Sequence, residues 1–237
     1  MKLPANTIFL PLLALITGLG ITAGVWKNGE ENSRQRLKYL FEYRAEEITL
    51  KIESRMHNYE QMLEDLAGLV RLRPEISESE FRDYVQNLHL DSRFPGTQGI
   101  GFTRYLRSAE LSAYLAQQKK RKPDFNFRPA GERDSYAPVQ YLEPPTPANS
   151  KVIGFDLLSE PIRHQSMSRA LTERRTVASA RLTLVQDAQS PGKAGVLIAT
   201  PVFLFDGSPN ASSEAEPKMW GFVGGLCHRT NIEISSR

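Results

Sequence analysis

Residues 6–26 read NTIFLPLLALITGLGITAGVW without one charged side chain, and no other stretch restricts the fold as tightly. At about 1.5 Å rise per residue, a helix of this length spans roughly 30 Å, the thickness of a bilayer's hydrocarbon core. The run predicts a transmembrane helix over residues 6–26 behind a short tail, residues 1–5. Pro11 lies near one end, where a helix tolerates it. Trp26 and Lys27 set an amphipathic ring and a snorkelling ammonium at the interface. A cleaved signal peptide is the alternative reading, since Lys2 precedes the run and Ala23-Gly24 supplies small residues. The length of the run and the lack of an A-x-A site favour an anchor. Lys27, Arg34, Arg36 and Lys38 follow the run closely, so a bare count of positive charges argues for an inside C-terminal part.

Residues 34–73 contain no Pro and only one Gly, Gly68, while apolar side chains recur at Leu37, Phe41, Ala45, Ile48, Ile52, Met56, Tyr59, Leu63, Leu66 and Val70. Steps of three and four residues predict an amphipathic stalk helix over 34–73, and the near-heptad rhythm suits a seam between helices. A helix of about forty residues is roughly 60 Å long, more than one small domain covers. Its first half is therefore expected to seek a partner chain, giving a homodimer, and its second half to pack on the domain's own core.

Beyond Arg73-Pro74, Ser77 and Glu80 form a capping box before Phe81, Val85 and Leu88, which predicts a short helix. The turn Phe94-Pro95-Gly96 leads to an alternating strand over 98–105, where Gly99 and Gly101 suggest close backbone approach or a bulge and not a dinucleotide fingerprint. Ser108 is expected to cap a helix running to about Gln118. Residues 123–151 read as loop-rich sheet edge, with strand-like pieces at 125–128 and 137–141. Ser159-Glu160-Pro161 is expected to start a fourth helix by a hydroxyl cap and an early proline. Runs 177–185 and 195–204 predict an antiparallel hairpin, and 219–226 a last strand. The mixture is an α+β fold.

Thirty basic against 27 acidic side chains leave a formal charge of +3, too balanced for a nucleic-acid face. The run Lys119 to Lys122 reads as a solvated helix terminus complementing the helix dipole. Cys227 is the only cysteine, which excludes an intrachain disulfide and a cysteine zinc site; it reads as a small buried residue. His57, His89, His164 and His228 are scattered, and no H-E-x-x-H, G-x-S-x-G or phosphate-cradling loop is present. No catalytic residue, metal or cofactor is assigned. Glu132, Asp134 and Glu143 read as ordinary surface carboxylates, and His164, beside Arg163, as solvated or locally bonded; an anchored hydrolase is the third reading.

Six ordered blocks, FPGTQGIGFTRYL, RDSYAPVQYLEP, GFDLLSEPIRHQSMSRAL, ASARLTLVQ, GVLIATPVF and WGFVGG, resemble the CHASE domain over residues 46–226. That family supplies the extracytoplasmic sensory modules of membrane histidine kinases and nucleotide cyclases, among them plant cytokinin receptors. The resemblance implies a stalk helix and two PAS-like subdomains with antiparallel sheets, the second incomplete. It implies a small ligand in the membrane-distal subdomain, near the segments matching 137–141 and 176–184, with a hydroxyl residue at the place of Ser179. It also implies a periplasmic or extracellular domain on a cell membrane. Residues 227–237 read as a tail that stops before a second membrane span, with no kinase or cyclase output, so the chain reads as a fragment or a truncated receptor. A dimerisation module without ligand binding is the second reading.

A ligand site needs apolar walls and a few orienting polar groups. Tyr136, Tyr141, Phe155, Ser179, Arg181, Leu182 and Leu184 are the candidates. Ser179 and Arg181 stand at alternate strand positions, where polar groups on an apolar face require a ligand or a hydrogen-bond partner.

Overall fold

Helical backbone begins at Asn6 and runs to Leu72 as α1 (Asn6–Leu72), in a computed structural model that describes residues 6–187, 194–205 and 216–228. The expected membrane helix and stalk are thus one helix; the intervening KNGEENS of residues 27–33 contains no proline to stop it. The tail 1–5 and the side chains of 6–14 lie outside the described residues, so the expected span over 6–26 is only partly described. Among the described residues, no helix is long and apolar enough to cross a membrane.

The chain divides into two compact units, Met1–Glu53 and Ser54–Arg237. In the first, Leu37, Phe41 and Ile48 are 68, 75 and 45% exposed, while charged neighbours pair along the helix, as Arg44 and Lys51 do with Glu47 at 3.0 and 2.7 Å. Among the described residues, nothing in this unit covers its apolar stripe.

In the second unit the same stripe is buried. Tyr59, Leu63, Leu66 and Val70 pack with Phe81 and Val85 of α2 (Glu78–Asn87) against one face of a sheet. Ser77 and Glu80 form the expected capping box. A short helix α3 (Leu90–Arg93) follows, then β1 (Thr97–Arg104) and β2 (Leu106–Arg107). Next come α4 (Ser108–Arg121), β3 (Ser135–Tyr136) and β4 (Val139–Glu143). The remaining elements are α5 (Pro147–Ser150), α6 (Pro161–Glu173), β5 (Val177–Ala178), β6 (Gly195–Leu204) and β7 (Lys218–His228). Five strands form an antiparallel sheet in the order β4-β1-β7-β6-β5. Successive side chains on a strand point to opposite faces, so Ile198 and Val202 face α1 and α2 while Leu197 and Ala199 face α6, with its Met167 and Ala170. Both faces are covered, which is why β6 reads as an almost continuous apolar run.

Several expectations are corrected. The described residues hold one five-stranded sheet plus the two-stranded ribbon β2-β3, where the resemblance implies two sheet-bearing subdomains. Residues 125–128 make only an isolated bridge from Arg128 to Phe155, because Pro129 has no N–H to extend a ladder. The run 177–185 forms a strand only at Val177 and Ala178, since the Ser179 hydroxyl takes the Leu197 N–H at 3.0 Å and interrupts the backbone ladder; pairing with β6 returns as an isolated bridge between Leu182 and Gly195. The α4 cap is Arg107, whose N–H is received by Glu110 at 2.9 Å; Ser108 is the first helical residue. The α6 cap is Glu160 and not Ser159. Cys227 and His228 belong to β7, and residues 229–237 lie outside the described set.

Leu66 is fully buried, so Leu66→Ala is expected to lower the unfolding free energy by about 2–5 kcal/mol. Leu37→Ala is expected to change it by no more than ~0.5 kcal/mol in the isolated chain. Urea denaturation measures both.

Candidate ligand-binding cavity

A cavity of about 30 Å³ lies between the α6 face of the sheet and the segments that cover it. Its floor exists because two glycines meet there: Gly101 of β1 and Gly224 of β7 are cross-strand partners, and both line it. A Cβ at Gly101 would lie 2.7 Å from the Tyr141 carbonyl oxygen, so this position is closed to larger residues, as the reading of close backbone approach expects. Gly224 is less crowded, with a Cβ meeting only Leu197 Cδ1 at 3.3 Å and the Ile198 oxygen at 3.4 Å. Its neighbour Gly225 turns the other way, toward Leu63 of α1, where a Cβ would sit 3.7 Å from Leu63 Cδ1.

Val139, Leu142, Leu157, Leu197 and Leu226 supply apolar walls, and two polar side chains, Arg163 and Gln186, also line the cavity. Arg163 stands in the first turn of α6 and is 4% exposed. Glu160 holds it there. Its carboxylate accepts from the N–H groups of Ile162 and Arg163, and from Arg163 Nη1, each at 3.1 Å. Arg163 Nη2 donates to the Thr183 carbonyl at 2.8 Å, and the guanidinium lies 5.7 Å from the Phe155 ring centroid. Burial pulls this guanidinium below its ordinary pKa, and Glu160 works against that. The remaining donor, Nε, is buried without a partner.

Gln186 is oriented by Asn149. The Asn149 amide nitrogen donates to the carbonyls of Gln98 and Pro144 at 3.0 and 2.9 Å, which turns its oxygen toward Gln186 Nε2 at 3.1 Å. Gln186 Oε1 is left buried and unpartnered. The cavity therefore combines apolar walls with one free donor and one free acceptor, the composition of a small-molecule site.

The covering segment is fixed by another buried pair. Asp156, fully buried, accepts from Ala137 N at 2.7 Å and Leu158 N at 3.1 Å through one oxygen, and from Arg133 Nε at 2.9 Å through the other. This carboxylate sets Leu157 over the cavity.

None of the seven ligand-site candidates read from the sequence lines this cavity. Leu182 and Leu184 are buried in the hydrophobic cluster around it, and Phe155 supports Arg163. Ser179 is half-buried and spends its hydroxyl on the backbone, accepting from Leu197 N and donating to the Ala180 carbonyl at 2.8 Å. Arg181 is exposed. Tyr141 lies on the opposite face, where its O–H donates to the Ile76 carbonyl at 3.1 Å. Tyr136 belongs to a third cluster with Leu106, Tyr114 and Phe125 under α4, and its hydroxyl donates to the Gly131 carbonyl.

One expectation about a charged residue is corrected here, and one buried cation stands outside the candidates read from the sequence. Arg163 is buried, and a signal for it was present: it shares a helix face with Met167 and Ala170 at spacings of four and seven. Glu143 is not a surface carboxylate but only 2% exposed, bonded to Arg82 Nε of α2 at 2.9 Å with Oε2 unpartnered. Glu132 and Asp134 are exposed and lie with His164 at a surface concavity, so the three carboxylates are not assembled into an acid-base unit.

The model of the CHASE domain matches residues 74–232, from the turn after α1 to beyond β7. The chain belongs to the CHASE family. CHASE domains are extracytoplasmic sensory modules of signalling receptors, so the cavity lies in a sensory scaffold. A comparison with curated proteins finds no match to this CHASE chain.

Burial raises the Glu143 carboxyl above its usual pKa, more than the Arg82 bond lowers it. A raised folded pKa means that the folded state binds the proton more tightly, so this group's contribution to stability is present at low pH and is lost as pH rises through the folded pKa. Wild type is expected to lose stability relative to Glu143→Gln as pH rises from the ordinary carboxylate range to above it. Chemical denaturation of both proteins at a series of pH values checks the sign.

Proposed function

We propose that the chain is the ligand-sensing part of a membrane-bound receptor, with a small molecule bound in the cavity beneath α6 and its arrival relayed through α1. One observation carries this reading: Arg163 Nε and Gln186 Oε1 are buried at an apolar cavity without partners, and unmet buried polar atoms cost about 1–3 kcal/mol each. A ligand presenting an acceptor and a donor meets both. The cavity's about 30 Å³ is room for about one water molecule, so a larger ligand must part α6 or the 157–158 turn from the sheet. That requirement is what sensing needs: ligand affinity then differs between a closed and an opened state, and only such a difference shifts an equilibrium.

Anchoring and dimerisation are part of the proposal. The charge-free run 6–26 supports an anchor, with the domain periplasmic or extracellular. The exposed apolar stripe of Leu37, Phe41 and Ile48 supports a homodimer seam, since an uncovered stripe at helical spacing gains by burial against a second copy. The output that receives the signal is a cytoplasmic kinase or cyclase. The same small cavity volume favours a second reading, a tethered dimerisation module that binds no ligand.

A thermal-shift screen of the chain in detergent against adenine derivatives, amino acids, carboxylates and peptides tests the sensing reading. One class is expected to raise Tm by several degrees, and the rise should vanish in Arg163→Met and in Gly224→Ala, which fills the cavity floor. If a folded wild-type protein responds to none of them, the dimerisation module becomes the better account. For the seam, single cysteines at Leu37, Phe41 and Ile48 are expected to cross-link copies in membranes, whereas a cysteine at Arg44 should not; equal cross-linking at all four sites would argue against a specific interface.

A further inference from the structure

A larger cavity, about 330 Å³, opens elsewhere on the Ser54–Arg237 unit, between the end of α1 and strand β6. Its size falls in the range of small-molecule sites, about ten times that of the cavity beneath α6. Two helices end there: α1 with Arg71 in its last turn, and α6 with Arg174 and Arg175 just beyond Glu173. Basic residues suit helix C-termini, but the meeting of both ends at one cavity gathers three guanidinium groups against one lining carboxylate among the described residues, Glu64.

The local partners leave part of that charge unanswered. Glu64 accepts from Thr176 Oγ1 at 3.3 Å, and Thr176 is in turn bonded to Thr200 Oγ1 at 2.9 Å, both threonines being buried. Arg175 is paired with Glu173. Among the described residues, neither Arg71 nor Arg174 has a carboxylate partner; Arg174, held at φ 50° where α6 stops, stands 5.6 Å from the Phe203 ring centroid. Ala67, Val202 and Phe203 form an apolar wall beside these cations.

We propose that this cavity is a second ligand site, independent of the one beneath α6, and that it takes a small organic carboxylate with an apolar body. The carboxylate pairs with Arg71 and Arg174, for which guanidinium geometry is suited, and the body packs on Phe203 and Val202. A ligand held this way bridges α1 to the α6–β5 corner.

Isothermal titration of the full chain in detergent with benzoate, benzamide and inorganic phosphate tests the assignment. Benzoate is expected to bind, with benzamide and phosphate weaker by about tenfold or more, since each lacks the charge or the apolar body. The double variant Arg71→Gln/Arg174→Gln, altered only at exposed positions, is expected to lose about tenfold in benzoate affinity. Binding of benzamide as tight as benzoate, of phosphate as tight as benzoate, or of benzoate to the double variant as to wild type would each overturn the proposal, as would absence of benzoate binding to the folded wild type.

Discussion

The burial of one helical stripe against one face of the sheet is the interaction on which the sensory unit rests. Tyr59, Leu63, Leu66 and Val70 cover Ile198, Val202 and Val223, and each such side chain is worth about 1.5–3 kcal/mol when removed from water. Without this cover the sheet would present an apolar face to solvent, and α2 would have nothing to complete. Polar ties then fix the chain where it leaves the helix. Trp220 Nε1 donates to the Pro74 carbonyl, Tyr141 to Ile76 and Tyr59 to Pro95, at 3.2, 3.1 and 2.8 Å. Each joins a ring in or against the core to a turn carbonyl that burial would otherwise leave unmet.

Three arginine-carboxylate pairs do the corresponding work around the other elements. Arg82 joins α2 to the edge strand through Glu143, Arg133 joins the β3 approach to Asp156, and Arg163 is clasped by its own helix cap, Glu160. In every case one partner is nearly or fully buried. Pairs of this kind contribute little net stability over apolar packing, yet removing one partner strands a buried charge. They act chiefly as selectors of one arrangement, and two of the three hold the walls of the cavity beneath α6.

Periodicity made the architecture legible. The three-four stripe of α1, the alternation of β1 and the nearly continuous apolar run of β6 are long patterns, and long patterns survive local exceptions. The candidate site was far less legible. Tyr141 and Leu182 look alike as apolar strand residues, and a single alternation step decides which face of a sheet each occupies. Ser179 was recognised as needing a partner, but the partner is the Leu197 N–H across the strand, which no local pattern reveals. Arg163 is hard to recognise as buried, because a cation in the first turn of a helix opposes the dipole; only the acidic cap beside it makes the position tenable. Gln186 and Asn149 are far apart in sequence, and their bond depends on the fold being already assembled.

The glycines of β7 have a mechanical consequence. Gly224 faces the cavity and Gly225 faces Leu63, so at this point strand β7 is bare backbone on both faces, between the side chains of Ile100 on β1 and of Ile198 and Ala199 on β6. Such a wall is a diaphragm: anything pressing on it from the α6 side bears, through a single layer of backbone, on the helix packed against its other side. Side chains at these positions would thicken the partition and absorb the same push in rotamer changes. At these two glycines the faces of the sheet are thus separated by the β7 backbone alone.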